Sequence, residues 1–399
     1  MKVETPQILW HSDPNGKAAP LYSISSLESG LSKSEEEQYG TVVATAGNSS
    51  DVHLWKVSFC SQKISHLTSL SRHERSVNAV AFSPDGIHLA TAGDGGTIIV
   101  WSVPPNKQGN GNGRHFWGTY LEEEKELDVK ILPSSNCQDI MDISWSLDSQ
   151  RFVCGSLDHC TMVWELTNQN WTCVHRDATG HSHYVQGVAM DPLGVYLASQ
   201  GSDRSVCLYS NAVVNNHTKK GKHQHKDNHN NKKDVLSKVK TIKRYHTTNT
   251  NRKHNLFADE STVESFFRRL SWTMDGAFLI APSGLWYKQQ QTNQNNNETP
   301  SFATLLFARH NYDQPYKVLT GHEKVRFTQN DLFHLSTFFA ALDPCLIFNF
   351  ILASFYIAIG CNTTKSCFVS ISAKCGWFQI TDTLSFDFCS IDLGYHICL

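Results

Sequence analysis

A set of polar and aromatic residues recurs along the chain, and its composition could serve either catalysis or structure. The copies contain His73, Thr91, Asp94, Trp101, Asp158, Trp164, His181, Ser199 and Asp203. A serine, a histidine and an aspartate can together activate a nucleophile for hydrolysis. The sequence lacks the G-x-S-x-G turn that exposes such a serine in many hydrolases. One set per repeat is better explained by buried hydrogen bonds that join a loop to two strands, so we predict no catalytic residue and no enzymatic activity.

A histidine-rich tract suggests a second kind of chemistry, metal binding. It contains His217, His223, His225 and His229, whose spacing matches no zinc motif. The surrounding residues lack the rigidity that fixes coordination geometry, so we predict no metal and no cofactor. From Lys219 to Lys253 the chain has 12 Lys or Arg and 2 Asp. We expect a solvated insertion here, with at most a weak, salt-sensitive contact to DNA phosphates.

The elements that carry the recurring set share a phrase of small residues, a turn and a terminal aromatic residue. Four copies begin near Ala44, Ala90, Cys154 and Ala198 and end at Trp55, Trp101, Trp164 and Tyr209. A period near 45 residues is typical of the blades of a β-propeller, each built from four antiparallel strands. We therefore predict an all-β WD-repeat β-propeller.

Five blades are recognisable in a predicted domain of residues 1–323. Their predicted limits are about 13–57, 66–103, 128–166, 175–211 and 262–310. In the fifth blade, Phe266–Trp272 and Ala303–Ala308 are predicted strands. The basic residues 215–253 and the Gln/Asn-rich residues 288–298 cannot bury apolar surface, so we predict loop insertions there.

The totals exclude some broad classes of function. The 399 residues include 35 Lys or Arg and 37 Asp or Glu, so no general attraction to nucleic acid or membranes is expected. The N-terminal sequence has no apolar segment typical of a secretory signal. The cysteines of residues 1–323 are scattered without C-x-x-C spacing, which indicates a reducing compartment.

Several longer phrases resemble the WD-repeat B (middle) subunit of chromatin assembly factor 1. They are Met1–Val3, Ile8–His11, Pro20–Ser23, Arg72–Pro84, Tyr184–Val188, Asp191–Gly194, Ser265–Trp272, Asp275–Gly276 and Ala281–Gly284. These phrases cover most of residues 1–323 and are more specific than a general WD match. The resemblance implies a seven-bladed, non-enzymatic propeller in a nuclear histone-chaperone complex that acts behind replication and repair.

The resemblance also implies the partners. It implies binding to the large subunit of the complex, shared binding of histones three and four, and contact with a second histone chaperone through a basic motif after the propeller. The candidate partner-contacting residues are Trp10, His11, Phe266, Phe267, Arg268 and Arg269. We expect one of the two arginines to face solvent at a blade edge and to pair with an acidic partner.

The sequence departs from the family pattern in two places that matter for folding. Asn136 stands where the third blade should carry its histidine, so we expect an incomplete network there. The resemblance stops near Lys324, and residues 324–399 show neither turn signals nor a period. Their cleanest apolar run, Cys345–Ile359, is shorter than the ~20 residues that span a bilayer. We interpret this tail as a translated retained intron and predict no membrane contact.

Five blades instead of seven have consequences for stability. An open propeller exposes strand edges, so we expect reduced stability and loss of the second-chaperone contact. Two alternatives remain: a replication-independent histone chaperone of the related WD family, and a substrate receptor of a ubiquitin ligase. Such receptors often carry Trp-Asp-x-Arg, whereas Lys56, Ser102 and Glu165 follow the tryptophans here.

Overall fold

The computed structural model describes residues 11, 19–27, 40–58, 63–104, 117, 121, 126–132, 138–210, 236–246, 253–263, 266–287 and 300–322. Nearly all regular structure within these residues is β-strand. No helix among them is long and apolar enough to cross a membrane. Trp10, Asn136, residues 215–235, the predicted loop 288–298 and the tail 324–399 lie outside the described residues.

The described part of the chain forms five antiparallel sheets of four strands, each with its strands paired in sequence order. The first sheet contains β1 (Leu21–Ser26), β2 (Thr41–Gly47), β3 (Asp51–Ser58) and β4 (Lys63–Ser71). The second contains β5 (Val77–Phe82), β6 (His88–Gly93), β7 (Ile98–Ser102) and β8 (Asp128–Leu132). The third contains β9 (Ile140–Trp145), β10 (Arg151–Ser156), β11 (Thr161–Thr167) and β12 (Asn170–Asp177).

The remaining strands form two further sheets and a hairpin between them. The fourth sheet contains β13 (Val185–Met190), β14 (Tyr196–Gly201), β15 (Ser205–Ser210) and β16 (Ser237–Ile242). The hairpin pairs β17 (Arg244–His246) with β18 (Lys253–Asn255). The fifth sheet contains β19 (Ser271–Trp272), β20 (Phe278–Trp286), β21 (Ser301–Ala308) and β22 (Lys317–His322). These sheets confirm the all-β propeller blades predicted from the repeated phrase.

The blade limits taken from the sequence are displaced by one strand. The second blade was expected over residues 66–103, whereas the second sheet runs from Val77 to Leu132. The aromatic residue lies in the third strand, and a fourth strand follows in every described sheet. Most side chains of this fourth strand are at least partly exposed, as in β8 and β16. It therefore lacks the repeated apolar phrase by which the other strands were found.

Part of the segment predicted as a basic loop is folded. β16 pairs with Val206–Ser210 and completes the fourth sheet, although its sequence is Ser-Lys-Val-Lys-Thr-Ile. Lysines are tolerated here because an outer edge strand leaves most of its side chains in solvent. The prediction of an insertion over residues 215–253 was therefore wrong for residues 237–246 and for Lys253.

Neighbouring sheets pack face to face through apolar side chains. Separate buried clusters join the first sheet to the second, the second to the third, the third to the fourth and the fourth to the fifth. The second strand of each sheet lies in the middle of this packing and is almost completely buried. Small side chains such as Ala44, Ala90 and Ala198 let the sheets approach at this level.

An arginine ties the fourth sheet to the fifth. Arg309 donates from Nη1 to Asp191 Oδ1 over 3.0 Å and from Nη2 to Asp191 Oδ2 over 2.6 Å. Its guanidinium also lies 5.0 Å from the Tyr196 ring centroid and 5.7 Å from that of Trp272. Since two parallel hydrogen bonds and two ring contacts fix one planar group, this pair sets the relative position of the two sheets.

The first turn of a sheet joins its first and second strands and repeats a hydrogen-bond pattern. In three of these turns a hydroxyl donates to an aspartate two residues later: Ser83 to Asp85 (2.5 Å), Ser146 to Asp148 (2.5 Å) and Thr273 to Asp275 (2.6 Å). Each aspartate also accepts the backbone N–H two residues further on. These side chains accept hydrogen bonds from backbone N–H groups that have no backbone partner within a tight turn.

Candidate functional site

In the second sheet the recurring polar set forms one buried network. His73 Nε2 lies 2.8 Å from Thr91 Oγ1, and Trp101 Nε1 donates to the same oxygen over 3.0 Å. The Thr91 hydroxyl can in turn donate to the Ile99 carbonyl at 3.3 Å. One donor proton and two lone pairs are thereby used, so this hydroxyl is engaged in tying the segment before β5 to β6 and β7. Asp94 accepts a hydrogen bond from Asn78 instead.

The fourth sheet brings together a histidine, a serine and an aspartate. His181 Nε2 lies 2.8 Å from Ser199 Oγ, and His181 Nδ1 lies 3.1 Å from Asp203 Oδ1. The Ser–His–Asp connectivity resembles a hydrolytic triad, but the side chains of Ser199 and His181 are buried. Asp203 also accepts from Ser205 Oγ and from the Ser182 N–H, so it caps the loop as well.

The third sheet does not complete the set. Asp158 accepts from Arg176 Nη2 over 2.6 Å and from the Cys160 N–H over 3.1 Å. Cys154 occupies the place of Thr91, ten residues before the tryptophan. Ser156 lies two residues later and donates to the Gln138 carbonyl. Trp164 Nε1 is buried and has no hydrogen-bond partner among the described residues.

The first sheet contains a network that the sequence analysis missed. His11 Nε2 lies 2.9 Å from Thr45 Oγ1, and Trp55 Nε1 donates to that oxygen over 2.8 Å. His11 was predicted to contact a partner; that prediction was wrong, because its side chain is only 2% exposed. The signal was present, since Thr45 precedes Trp55 by the same ten residues that separate Thr91 from Trp101.

The pKa values of the histidines in these networks are shifted in opposite directions. Burial lowers the pKa of His73 to about 4 and, with help from the charge of His53, lowers that of His11 to about 4. Burial alone would also lower the pKa of His181, but hydrogen bonds with Asp203 and Cys207 raise it to about 9. His73 and His11 are therefore neutral in the folded protein near neutral pH, whereas His181 carries a charge opposite Asp203.

One of the two arginines was expected to face solvent at a blade edge; that prediction was wrong, because both lie in the interior. Arg268 is completely buried and donates from Nη1 to the Ala258 carbonyl over 2.7 Å. Burial lowers its pKa to about 10. The predicted strand Phe266–Trp272 is limited to β19, because residues 267–270 run past the inner edge of β13 instead of pairing with β20. There the Arg268 carbonyl lies so close to Gly187 that a Cβ on residue 187 would sit 1.9 Å from its oxygen.

Arg269 lies where the innermost strands meet. Its Nη1 donates to the Tyr22 carbonyl of β1 over 2.6 Å, and its Nη2 donates to the Asn78 carbonyl of β5 over 2.6 Å. Its Nε forms an ion pair with Asp142 Oδ1 of β9 at 3.0 Å. The second oxygen of Asp142 accepts the Val188 N–H of β13 over 2.8 Å. One buried ion pair thus contacts the innermost strands of four sheets, and Arg269 itself lies two residues before β19 of the fifth.

The two phenylalanines before these arginines have different surroundings. The Phe267 ring lies 4.4 Å from the Arg269 guanidinium and 5.6 Å from the Tyr22 ring, so it covers the buried ion pair. Phe266 is 65% exposed. Among the predicted partner-contacting residues that the structure describes, Phe266 alone has a side chain that lies mainly in solvent.

Metal binding can be judged on the described residues only. They contain no group of three or more His, Cys, Asp or Glu side chains arranged to hold a metal ion. The histidine-rich tract, His217 to His229, lies outside them.

Replacing Thr91 by valine tests whether the second network stabilises the fold. The change keeps the shape of the side chain but leaves the buried Trp101 indole N–H and His73 without their acceptor. We expect the free energy of unfolding to fall by about 2 kcal/mol. Urea denaturation of Thr91→Val and of the control Thr97→Val, a half-buried threonine outside the network, makes the comparison. Equal, small losses in both variants would show that the network contributes little.

The lowered pKa of His73 predicts a loss of stability in mild acid. An unfolded histidine titrates near pH 6.5, so between pH 6.5 and 4 the unfolded chain binds a proton that the folded chain does not. The free energy of unfolding therefore falls as the pH falls below 6.5. The glutamine of His73→Gln does not titrate in this range. Between pH 7 and pH 5 we expect the free energy of unfolding of this variant to fall by about 2 kcal/mol less than that of the wild type. Denaturation curves of both proteins at both pH values measure this difference. An equal fall in the free energy of unfolding of the wild type and of the variant would contradict the prediction.

Comparison with known proteins gives the family. Residues 1–330 match the family model described as "CAF1B/HIR1 beta-propeller domain". A rice protein, "Chromatin assembly factor 1 subunit FAS2 homolog" (Oryza sativa subsp. japonica), is 34% identical over 252 residues, which cover 61% of this chain and 44% of the relative. The B-type subunit of chromatin assembly factor 1 from chicken (Gallus gallus) is 28% identical over 329 residues, covering 79% and 49%.

A fission-yeast relative is covered more completely. The B-type subunit of chromatin assembly factor 1 from Schizosaccharomyces pombe is 30% identical over 394 residues, which cover 82% of this chain and 71% of the relative. The chain spans about half the length of the rice and chicken relatives. The resemblance found in the sequence is confirmed, and the chain belongs to the CAF1B/HIR1 β-propeller family.

Proposed function

We propose that the chain is a non-enzymatic histone-chaperone subunit that acts as a binding platform in nucleosome assembly in the nucleus. The observation that carries the proposal is the family match over residues 1–330. The names of the rice, chicken and fission-yeast relatives place those proteins in chromatin assembly factor 1. The large subunit of such a complex and histones three and four are the partners that we assign to this chain.

The chemistry of the recurring polar sets favours a role as a binding platform and argues against a role as an enzyme. The hydroxyls of Thr91 and Ser199 are buried and already bonded to histidines. A nucleophile must reach its substrate, and neither hydroxyl has a route to one without opening a sheet. Function is then left to the loops and turns on the surface, which the rigid sheets hold in place.

A replication-independent histone chaperone is the second candidate, because the matched family includes HIR1 as well as CAF1B. Both candidates bind histones and differ in the other subunits that they assemble with. A ubiquitin-ligase receptor would assemble with ligase subunits instead. Affinity purification of the full chain from nuclei, followed by identification of the associated subunits, separates the three.

Histone binding is the direct test of the proposal. The purified full chain is mixed with histones three and four near physiological salt and separated by size exclusion. We expect co-elution, because a chaperone must hold these histones away from DNA. An unrelated basic protein of similar charge serves as control. Elution of the chain apart from the histones, or equal co-elution with the control protein, would contradict the proposed function.

A further inference from the structure

The first turns of the third, fourth and fifth sheets each contain an exposed apolar side chain. Leu147 in the third sheet is 66% exposed, Leu193 in the fourth is 55% exposed, and Met274 in the fifth is 40% exposed. Pro84 in the second sheet and Pro192 in the fourth stand at the place of Leu147 and Met274, and both are half-buried. Leu193 directly follows Pro192. Single exposed apolar residues are common on protein surfaces, whereas their repetition in equivalent turns indicates a surface that binds a partner.

Contacts between neighbouring sheets place these turns side by side. The Asp85 N–H donates to Ser149 Oγ over 2.9 Å, which joins the first turns of the second and third sheets. A Cβ on Gly276 would lie 2.9 Å from Leu193 Cγ, so the first turns of the fourth and fifth sheets also touch.

Between the third and fourth sheets the strands themselves give the alignment. Val188 N bonds to Asp142 and Met190 N bonds to Ser144, so β9 and β13 advance in the same direction with a constant offset of 46 residues. The same offset relates Leu147 to Leu193, which follow the ends of these strands. The first turns of the second to fifth sheets are therefore neighbours in sheet order, and we call this row of turns the first-turn arc.

Carboxylates alternate with the apolar tips along the first-turn arc. Asp148 and Asp275 are exposed beside Leu147 and Met274 and supply negative charge there. The nearby cation Arg309 is already bound by both oxygens of Asp191, so it does not neutralise them. The arc thus offers apolar contacts and negative charge together, which complements a basic segment that carries apolar side chains.

We propose that the first-turn arc is the docking surface for a basic polypeptide segment with apolar side chains. The inference rests on the proposed function, which makes histone three or four that partner. Leu147, Leu193 and Met274 pack against the partner's aliphatic groups. Asp148 and Asp275 pair with its lysines and arginines and favour the approach of a basic protein over a neutral one.

The test compares two triple variants of the full chain. The first, Leu147→Ser/Leu193→Ser/Met274→Ser, removes the apolar tips. The second, Ile131→Ser/Val239→Ser/Leu319→Ser, removes side chains of similar exposure (63%, 55% and 44%) from the outer strands β8, β16 and β22. The dissociation constant for histones three and four is measured for both and for the wild type, and thermal melting confirms that each variant is folded.

We expect the first variant to bind at least about tenfold more weakly and the second to bind within about twofold of the wild type, because buried apolar anchors dominate interface affinity. Equal binding by all three proteins would overturn the docking surface while the proposed function stood. Equal weakening in both variants would also overturn it. If the wild type itself binds no histone, the proposed function fails first, so the two failures are distinguishable.

The charged part of the arc has its own readout. Asp148→Asn/Asp275→Asn keeps an oxygen acceptor for each turn but removes two negative charges. We expect a shallower dependence of the dissociation constant on salt concentration than in the wild type. An unchanged salt dependence would exclude these carboxylates from the contact.

Discussion

The buried ion pair of Arg269 and Asp142 is the interaction on which the rest of the described structure depends. The innermost strand of each sheet has one edge that pairs with no other described strand, so its buried N–H and C=O groups need other partners. Arg269 supplies donors to the carbonyls of Tyr22 and Asn78, and Asp142 supplies an acceptor to Val188. Removing either member leaves an uncompensated buried charge and unpaired backbone groups in several sheets at once.

The same constraint explains where function can lie. Polar side chains of one inner strand cap the edge of the next: Ser23 and Ser25 bond to β5, Asn78 bonds to β9, and Ser144 bonds to β13. The His–Thr–Trp sets perform a similar task one strand further out. Polar groups that resemble catalytic machinery are thus used to hold sheets together. Partner binding is then left to the turns and loops, as the proposed function requires.

How much the sequence reveals depends on whether a contact is local. The sets around Thr91 and Ser199 were predictable, because their members lie in one repeat at fixed spacing. The fourth strands were misassigned, since an exposed edge strand such as β16 carries no apolar alternation. One of Arg268 and Arg269 was expected in solvent, because charged residues are usually exposed. The partners of Arg269 lie 247, 191 and 127 residues away along the chain, at Tyr22, Asn78 and Asp142, and no local pattern records them.

The free energy of unfolding of Arg269→Lys tests this account most directly. A lysine keeps the charge but cannot donate to Tyr22 and Asn78 while it pairs with Asp142. Arg151→Lys is the matched control, because Arg151 forms a more exposed ion pair with Glu165 at 2.7 Å. The account predicts a loss of roughly 3 kcal/mol for Arg269→Lys and below about 1 kcal/mol for the control. Equal losses below about 1 kcal/mol in both variants would contradict it.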